Sequence, residues 1–328
     1  MLLHREPVLV AGSTHPGLAQ SIAAHLGVAL VPVRFTRFSN ENLKVRVEAA
    51  VRDRDVFVIQ TSCPPVNEAL METLLLLDAL RGAGAGRITV VLPYFPYVRS
   101  DKMDEPGVSI SARLVADLLV TAGANRMLVM DLHSPQIHGF FRVPVDHITA
   151  VPTLCASLAE AGAGVERVVV ATDIGEAKDA GRFAARLGVP LAVIDKRRAG
   201  DDEHALPHTL VGDVRGRHAL IVDDEIATGG TLLEAGEMVL RLGAASVEAA
   251  VVHAVLSGRA VERLRASRMT RLRVTDSIPL PDDKRDPRIE VVSVAPLLAE
   301  AIRRVNAGES LDDLARLEAL KSPAFYVG

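Results

Sequence analysis

The chain has 328 residues, 49% of them apolar and 24% charged, with a formal net charge of -4 and both signs interspersed. At about 150 residues per domain this length predicts two cores, and the composition is that of a folded globular protein, not a disordered one. The mildly acidic balance excludes wholesale attraction to nucleic acid or to an anionic membrane surface, so any anionic ligand must be held by local groups.

Cys63 and Cys155 are the only cysteines. Two are too few for a disulfide framework or a cysteine-based zinc site, and they fit a reducing compartment. The opening MLLHREPVLVAG lacks an apolar segment of signal-peptide length, and no stretch approaches the ~18 apolar residues of a membrane span. A cytoplasmic protein is expected.

Taken in chain order, short apolar runs alternate with longer segments of helical period. The runs are PVLVAG, DVFVIQ, ITVVLP, MLVMDL, VVVATD, LAVIDK, ALIVDD and VEAAVVHAV. Continuous apolar runs without strict alternation predict strands buried on both faces, as in a parallel sheet covered by helices. The fold class is α/β. Between the runs, NEALMETLLLLDALRGAGAG sets Leu70, Leu74, Leu77 and Leu80 at helical spacing and then stops at a glycine cluster; LLEAGEMVLRLGA repeats that design. Residues 56–91 and 219–252 therefore share strand, turn-rich loop, helix, glycine stop and second strand, which a duplicated half explains. Prolines punctuate VPVDHITAVPTL, which sets the expected boundary between domains 1–148 and 149–328. The tail ARLEALKSPAFYVG has no counterpart in the pattern and is expected either to be flexible or to dock on a neighbour.

The most informative stretch is VDDEIATGGT, residues 222–231. Asp223 and Asp224 close an apolar run, and a Thr-Gly-Gly-Thr turn precedes an amphipathic segment. A loop leading from a parallel strand into a helix N-terminus offers unpaired N–H groups and the positive end of the helix dipole, which stabilise phosphate. Gly229 and Gly230 let the backbone curl close to an anion, and Thr228 and Thr231 add hydroxyl donors. The adjacent acids would repel a phosphate placed on them but can accept hydrogen bonds from sugar hydroxyls. A sugar phosphate meets both needs. The same residues also fit a plain N-capping turn with acids at its mouth.

IVDDEIATGGT resembles the phosphoribosyl-pyrophosphate fingerprint shared by phosphoribosyltransferases and ribose-phosphate pyrophosphokinases. The second family is also matched, in order and at its spacing, by LPYFPYVRSDK, DLHSPQIHGFF, VPVDHI, DKRR and VAPLLAEAI. The resemblance covers roughly residues 8–310 and implies two duplicated type I phosphoribosyltransferase-like domains, each a mainly parallel sheet flanked by helices. It implies transfer of the β,γ-diphosphoryl unit of ATP to ribose 5-phosphate, with magnesium as cofactor. It also implies a homo-oligomer, a hexamer built from dimers, whose ATP site lies at a subunit interface.

Carried over residue by residue, the resemblance assigns the ribose hydroxyls to Asp223 and Asp224, and the 5-phosphate to Ala227, Thr228, Gly229, Gly230 and Thr231. His133 and Asp173 match the magnesium-associated positions, each after an apolar run. Taken alone, His133 equally suits a structural or hydrogen-bonding role, because magnesium prefers oxygen ligands. Arg99, Lys102, Lys196 and Arg198 match cationic positions that act on the transferred group, and Phe38, Asn40, Asn42, Arg99, Ser100 and Asp101 match the ATP site. DKRR by itself also reads as a solvated charge run.

Three places depart from the family pattern. Glu41 stands where a glycine is usual and Asn42 where a glutamate is usual; Glu176 replaces the second glycine of an Asp-x-Gly-Gly pattern. After Arg99 the loop reads SDKMDEPGVS, so Met103, Asp104 and Glu105 supply none of the usual basic charge, and feedback control by ADP is not expected. Two other readings remain open. A phosphoribosyltransferase would leave Arg99 and Lys196 unexplained, and a non-catalytic regulatory homologue would keep the fold without the activity.

Overall fold

The computed structural model describes residues 6–160, 166–195 and 209–314, and the chain divides into two compact units. Of the described residues, the first comprises 6–150, 277–279 and 293–314, and the second 151–160, 166–195, 209–276 and 280–292.

In the first unit, β1 (Val8–Ala11) leads through α1 (Pro16–Leu26) to the edge strand β2 (Leu30–Val31). An antiparallel hairpin follows, β3 (Val33–Arg37) and β4 (Leu43–Val47), and then the central strand β5 (Asp55–Ile59). The run continues through α2 (Val66–Gly82), β6 (Arg87–Leu92), α3 (Ser111–Ala122), β7 (Arg126–Met130) and β8 (Val145–Ile148). The sheet order is β2-β1-β5-β6-β7-β8, parallel throughout. The continuous apolar runs are explained by this layering: Val56, Val58, Ile88 and Val90 are buried with Leu76, Leu77 and Leu80 of α2. Full burial of each such side chain contributes about 1.5–3 kcal/mol.

The second unit opens with α4 (Val151–Glu160) and repeats the same path: β9 (Arg167–Ala171), α5 (Ala177–Leu187), β10 (Leu191–Asp195), β11 (Thr209–Val211), β12 (His218–Ile226), α6 (Gly230–Arg241), β13 (Ser246–Ala254), α7 (Ala260–Ala266), β14 (Arg271–Thr275) and β15 (Ile289–Val292). Its sheet order is β11-β10-β9-β12-β13-β14-β15, parallel except for β11 at the edge. Removing β11 leaves the order of the first sheet, strand for strand, so the echo in the sequence is a repeat of topology. The first helices after β1 and β9 even end alike, on Gly27 (φ 67°) and Gly188 (φ 66°), where a left-handed residue closes the last turn.

The units do not follow a simple cut of the chain near residue 148. The last helix among the described residues, α8 (Ala295–Ala307), packs on α1 and belongs to the first unit, while α4 packs on α5 in the second. Sequence order alone assigns α8 to the second half. Its buried face, Leu298, Ala301, Ile302 and Val305, finds its apolar partner in the first unit instead. The tail from residue 315 onward lies outside the described residues.

Candidate active site

In an open parallel sheet, ligands bind outside the carboxyl ends of the strands where the strand order reverses. In the second unit that point lies between β9 and β12, because the chain runs outward from β9 to β10 and returns to the other side of β9 at β12. Val222 of β12 pairs with Ala171 of β9. The residues just beyond, Thr172 to Glu176 and Asp223 to Thr231, therefore meet at this crevice although about 50 positions separate them in the chain.

Asp223 and Asp224 are both half-buried at the end of β12. The Asp224 N–H donates to Asp223 Oδ1 at 3.0 Å, and Thr172 Oγ1 lies 3.5 Å from Asp223 Oδ2. Oxygens of Glu176, Asp223 and Asp224 all lie within 4.8 Å of one another. Burial first, then the charge and hydrogen bonding of Asp224 and the charge of Glu176, hold the Asp223 carboxyl well above the usual carboxylate range. Such a trio is stabilised by a hard divalent cation or by hydroxyl donors, since either relieves the repulsion. Glu176, which sequence comparison marks only as a departure from a glycine, is thus part of the site. Asp173 is not in that trio; its Oδ1 accepts the Glu176 N–H at 3.2 Å and shapes the turn.

From Asp224 the backbone runs through Glu225, Ile226 and Ala227 into the loop. Gly229 has φ 75° and stands at the N-cap of α6, a left-handed conformation that a side chain resists. Gly230 begins the helix, so its first N–H groups have no intrahelical partner, the condition under which a helix N-terminus holds an anion. Thr228 and Thr231 are exposed beside them. The predicted phosphate loop and the predicted sugar acids are therefore joined in one site.

Apart from Lys196 and Arg198, the remaining predicted residues are in the first unit. His133 is exposed shortly after β7, beyond Asp131, which sits at φ 39° and accepts the Ala150 N–H at 2.7 Å. The intervening Leu132 N–H donates to His147 Nε2 at 3.1 Å. Phe38, Asn40 and Asn42 form the tip of the β3–β4 hairpin, closed by Phe38 N–H to Asn42 O at 2.9 Å and Asn42 N–H to Asn40 Oδ1 at 3.2 Å. Glu41 has φ 65° in this tip, which explains why glycine suits the position. Arg99 and Lys102 are exposed and Ser100 and Asp101 half-buried after a tight turn in which Tyr97 (φ 55°) accepts the Ser100 N–H. Lys196 and Arg198 lie outside the described residues.

The switch point of the first unit shows what the duplication left behind. There the loop after β1 is filled by the protein itself: Ser13 N–H and Oγ donate to the Glu72 carboxylate at 2.7 and 2.6 Å, and Gln60 Nε2 donates to it at 2.8 Å. A carboxylate from α2, the helix that follows β5, closes that loop.

Comparison with known proteins shows the family. Residues 7–123 match the N-terminal domain of ribose phosphate pyrophosphokinase, and residues 201–316 the phosphoribosyl synthetase-associated domain. The ribose-phosphate pyrophosphokinase of Deinococcus radiodurans is 46% identical over 320 residues, covering 94% of this chain and 98% of its own length. The chain belongs to the ribose-phosphate pyrophosphokinase family. It is a diphosphokinase enzyme of that family. The enzyme of the same name from Caldanaerobacter subterraneus is 44% identical over 306 residues, covering 93% of this chain and 96% of its own. The crystal structure of phosphoribosylpyrophosphate synthetase from Mycobacterium smegmatis superposes with a TM-score of 0.88 at 42% identity, covering 93% of this chain and all of that one. Among the described residues, no helix of this family member is long and apolar enough to cross a membrane.

Proposed function

We propose that the protein transfers the β,γ-diphosphoryl group of ATP to the C1 hydroxyl of ribose 5-phosphate, giving phosphoribosyl pyrophosphate and AMP. The observation that carries this reading is the joining of Asp223 and Asp224 to the capped loop of α6 in a chain of this family. The acids accept hydrogen bonds from the ribose hydroxyls, and the loop N–H groups take the 5-phosphate. With the sugar held at both ends, its C1 oxygen is aimed at the β-phosphorus. A bond forms between them as the bond to the α-phosphate bridging oxygen breaks; AMP leaves with that oxygen and the C1 hydroxyl gives up its proton. Little covalent work falls to the protein in such a transfer, so alignment and charge neutralisation supply the rate.

Arg99 and Lys102 act on the charge that spreads over the transferred group, and Phe38, Asn40, Asn42, Ser100 and Asp101 hold the nucleotide. Lys196 and Arg198 belong to the same cationic set. Magnesium fits the acidic oxygens of Glu176, Asp223 and Asp224, with His133 and Asp173 as its family-associated positions; when bound it neutralises phosphate charge. The same reading carries a homo-oligomer, hexameric in the manner of the family, working in the cytoplasm on ATP and ribose 5-phosphate and without nucleic acid or membrane as partner.

The test is incubation of the purified protein with ATP, ribose 5-phosphate and magnesium, without any nucleobase, followed by chromatography of the nucleotides. AMP formed in step with phosphoribosyl pyrophosphate, and abolished by a chelator, is expected. A protein that forms no AMP is a regulatory homologue, and one that consumes phosphoribosyl pyrophosphate with a base is a phosphoribosyltransferase; either result rejects the proposal.

A further inference from the structure

The turn that carries His133 is tied to the end of the neighbouring strand. β7 and β8 run parallel, and Met130, the last residue of β7, pairs with Ile148, the last of β8. At and beyond that pair three hydrogen bonds join the two segments: Asp131 donates its N–H to Ile148 O at 3.1 Å, Leu132 donates its N–H to His147 Nε2 at 3.1 Å, and Asp131 Oδ2 accepts the Ala150 N–H at 2.7 Å. The two residues before His133 thus have both backbone N–H groups and one carboxylate fixed by residues 147–150.

The turn needs that hold. Asp131 stands at φ 39°, a left-handed conformation that an L-residue resists and keeps only where its surroundings over-determine it; such residues cluster at functional positions. After the kink, Leu132 enters the apolar core of the first unit, whereas His133 is exposed beyond the carboxyl end of β7, the end of a parallel sheet at which ligands bind. Of the three bonds, only the one to His147 comes from a side chain outside the turn. His147 is itself exposed and fills no part of the core, so its bond to Leu132 is what it contributes here. To accept an N–H, Nε2 must keep its lone pair, which leaves the imidazole neutral with its proton on Nδ1.

We propose that His147 is a positioning residue for the transfer reaction: by holding the Leu132 N–H it fixes the direction in which the turn presents His133. This rests on the reading of His133 as part of the reaction site. His147 acts through the turn, with no contact of its own to the reacting groups, and its removal therefore costs turnover through misalignment.

The experiment compares the full-length parent with His147→Leu, His147→Gln, His133→Ala and the double variant His133→Ala/His147→Leu. Leucine removes the acceptor; glutamine sets its Oε1 close to where Nε2 stands and keeps it. We expect His147→Leu to lower kcat by about 10- to 100-fold, the range for a small misplacement at a distance from the chemistry, with the KM for ribose 5-phosphate unchanged. His147→Gln should recover most of the loss. Because His147 acts through His133, the double variant should fall no further than His133→Ala alone. Independently of activity, hydrogen exchange followed by NMR should find the Leu132 amide protected in the parent and in His147→Gln and fast in His147→Leu. A His147→Leu protein with the parent's kcat, or a double variant whose loss is the product of the two single losses, overturns the positioning role. A Leu132 amide that exchanges as fast in the parent as in His147→Leu overturns the bond. His133→Ala with the parent's kcat overturns instead the reading of His133, and a parent that forms no AMP overturns the proposed reaction.

Discussion

Asp224 donates its backbone N–H to Oδ1 of Asp223 at 3.0 Å, so the two adjacent acids of β12 are not equivalent. Burial first, and then the charge of Asp224, push the Asp223 carboxyl toward its protonated form, and the role proposed for Asp224 at the sugar needs its anionic oxygens. Asp224→Asn should accordingly weaken the sugar site. Loss of one charge-assisted hydrogen bond, about 1.5–3 kcal/mol, lowers kcat/KM for ribose 5-phosphate by about 10- to 150-fold. Steady-state kinetics with varied ribose 5-phosphate checks this, and unchanged constants would remove Asp224 from the site.

Lys102 stands in an exposed segment with Met103, Asp104 and Glu105, none of which brings positive charge. A cation whose contact forms only as charge redistributes acts on turnover more than on binding. Lys102→Ala is expected to lower kcat by about 10- to 1000-fold with a smaller change in the KM for ATP. With no neighbouring cations to hold a second nucleotide, ADP should inhibit only by competing with ATP. Inhibition that saturating ATP fails to relieve would contradict that.

Gly12 and Gln60 are tied to the stability of the first unit. A Cβ on Gly12 would lie 2.3 Å from Gln60 Oε1 and 2.4 Å from its Cδ, and Gln60 is 1% exposed and bonded to Thr14 and Glu72, so it has nowhere to go. Gly12→Ala should destabilise by about 1–3 kcal/mol through overpacking. Glu72→Ala, which strips the acceptor from Ser13 and Gln60, should cost at least as much, about 1–3 kcal/mol for each buried donor left unpaired. Denaturant titration of both variants measures this; a Gly12→Ala protein as stable as the parent would mean the loop moves freely.

Glu300 on α8 is held down to about 2 by hydrogen bonds from Arg303 and then Arg304. The Arg304 Nε contact is 2.7 Å and the two Arg303 contacts 2.8 and 2.9 Å. Because the folded value lies below the ordinary 4.5, the contribution to stability is fully present above pH 4.5 and is lost as pH falls toward about 2. The Tm gap between the parent and Glu300→Gln should therefore be widest above pH 5 and close on acidification. A gap independent of pH would show that the ion pairs contribute no linkage.

The sequence by itself determined what is local in the chain. The strand, the two acids, the glycine turn and the helix start of residues 218–241 are contiguous, so their order and chemistry could be read without coordinates, as could the α/β class from runs buried on both faces. Tertiary structure decided what parallel crossovers bring together. Glu176 reaches Asp223 because β9 and β12 are neighbours at the point where the strand order reverses. Arg263 reaches Thr228 because β13 returns beside β12 and sends α7 back over the loop. Neither contact leaves a trace in spacing, since the intervening helix can vary in length without changing which strand ends meet. The placement of α8 is of the same kind: its apolar stripe specifies that it must be covered, and only the fold specifies that α1 covers it.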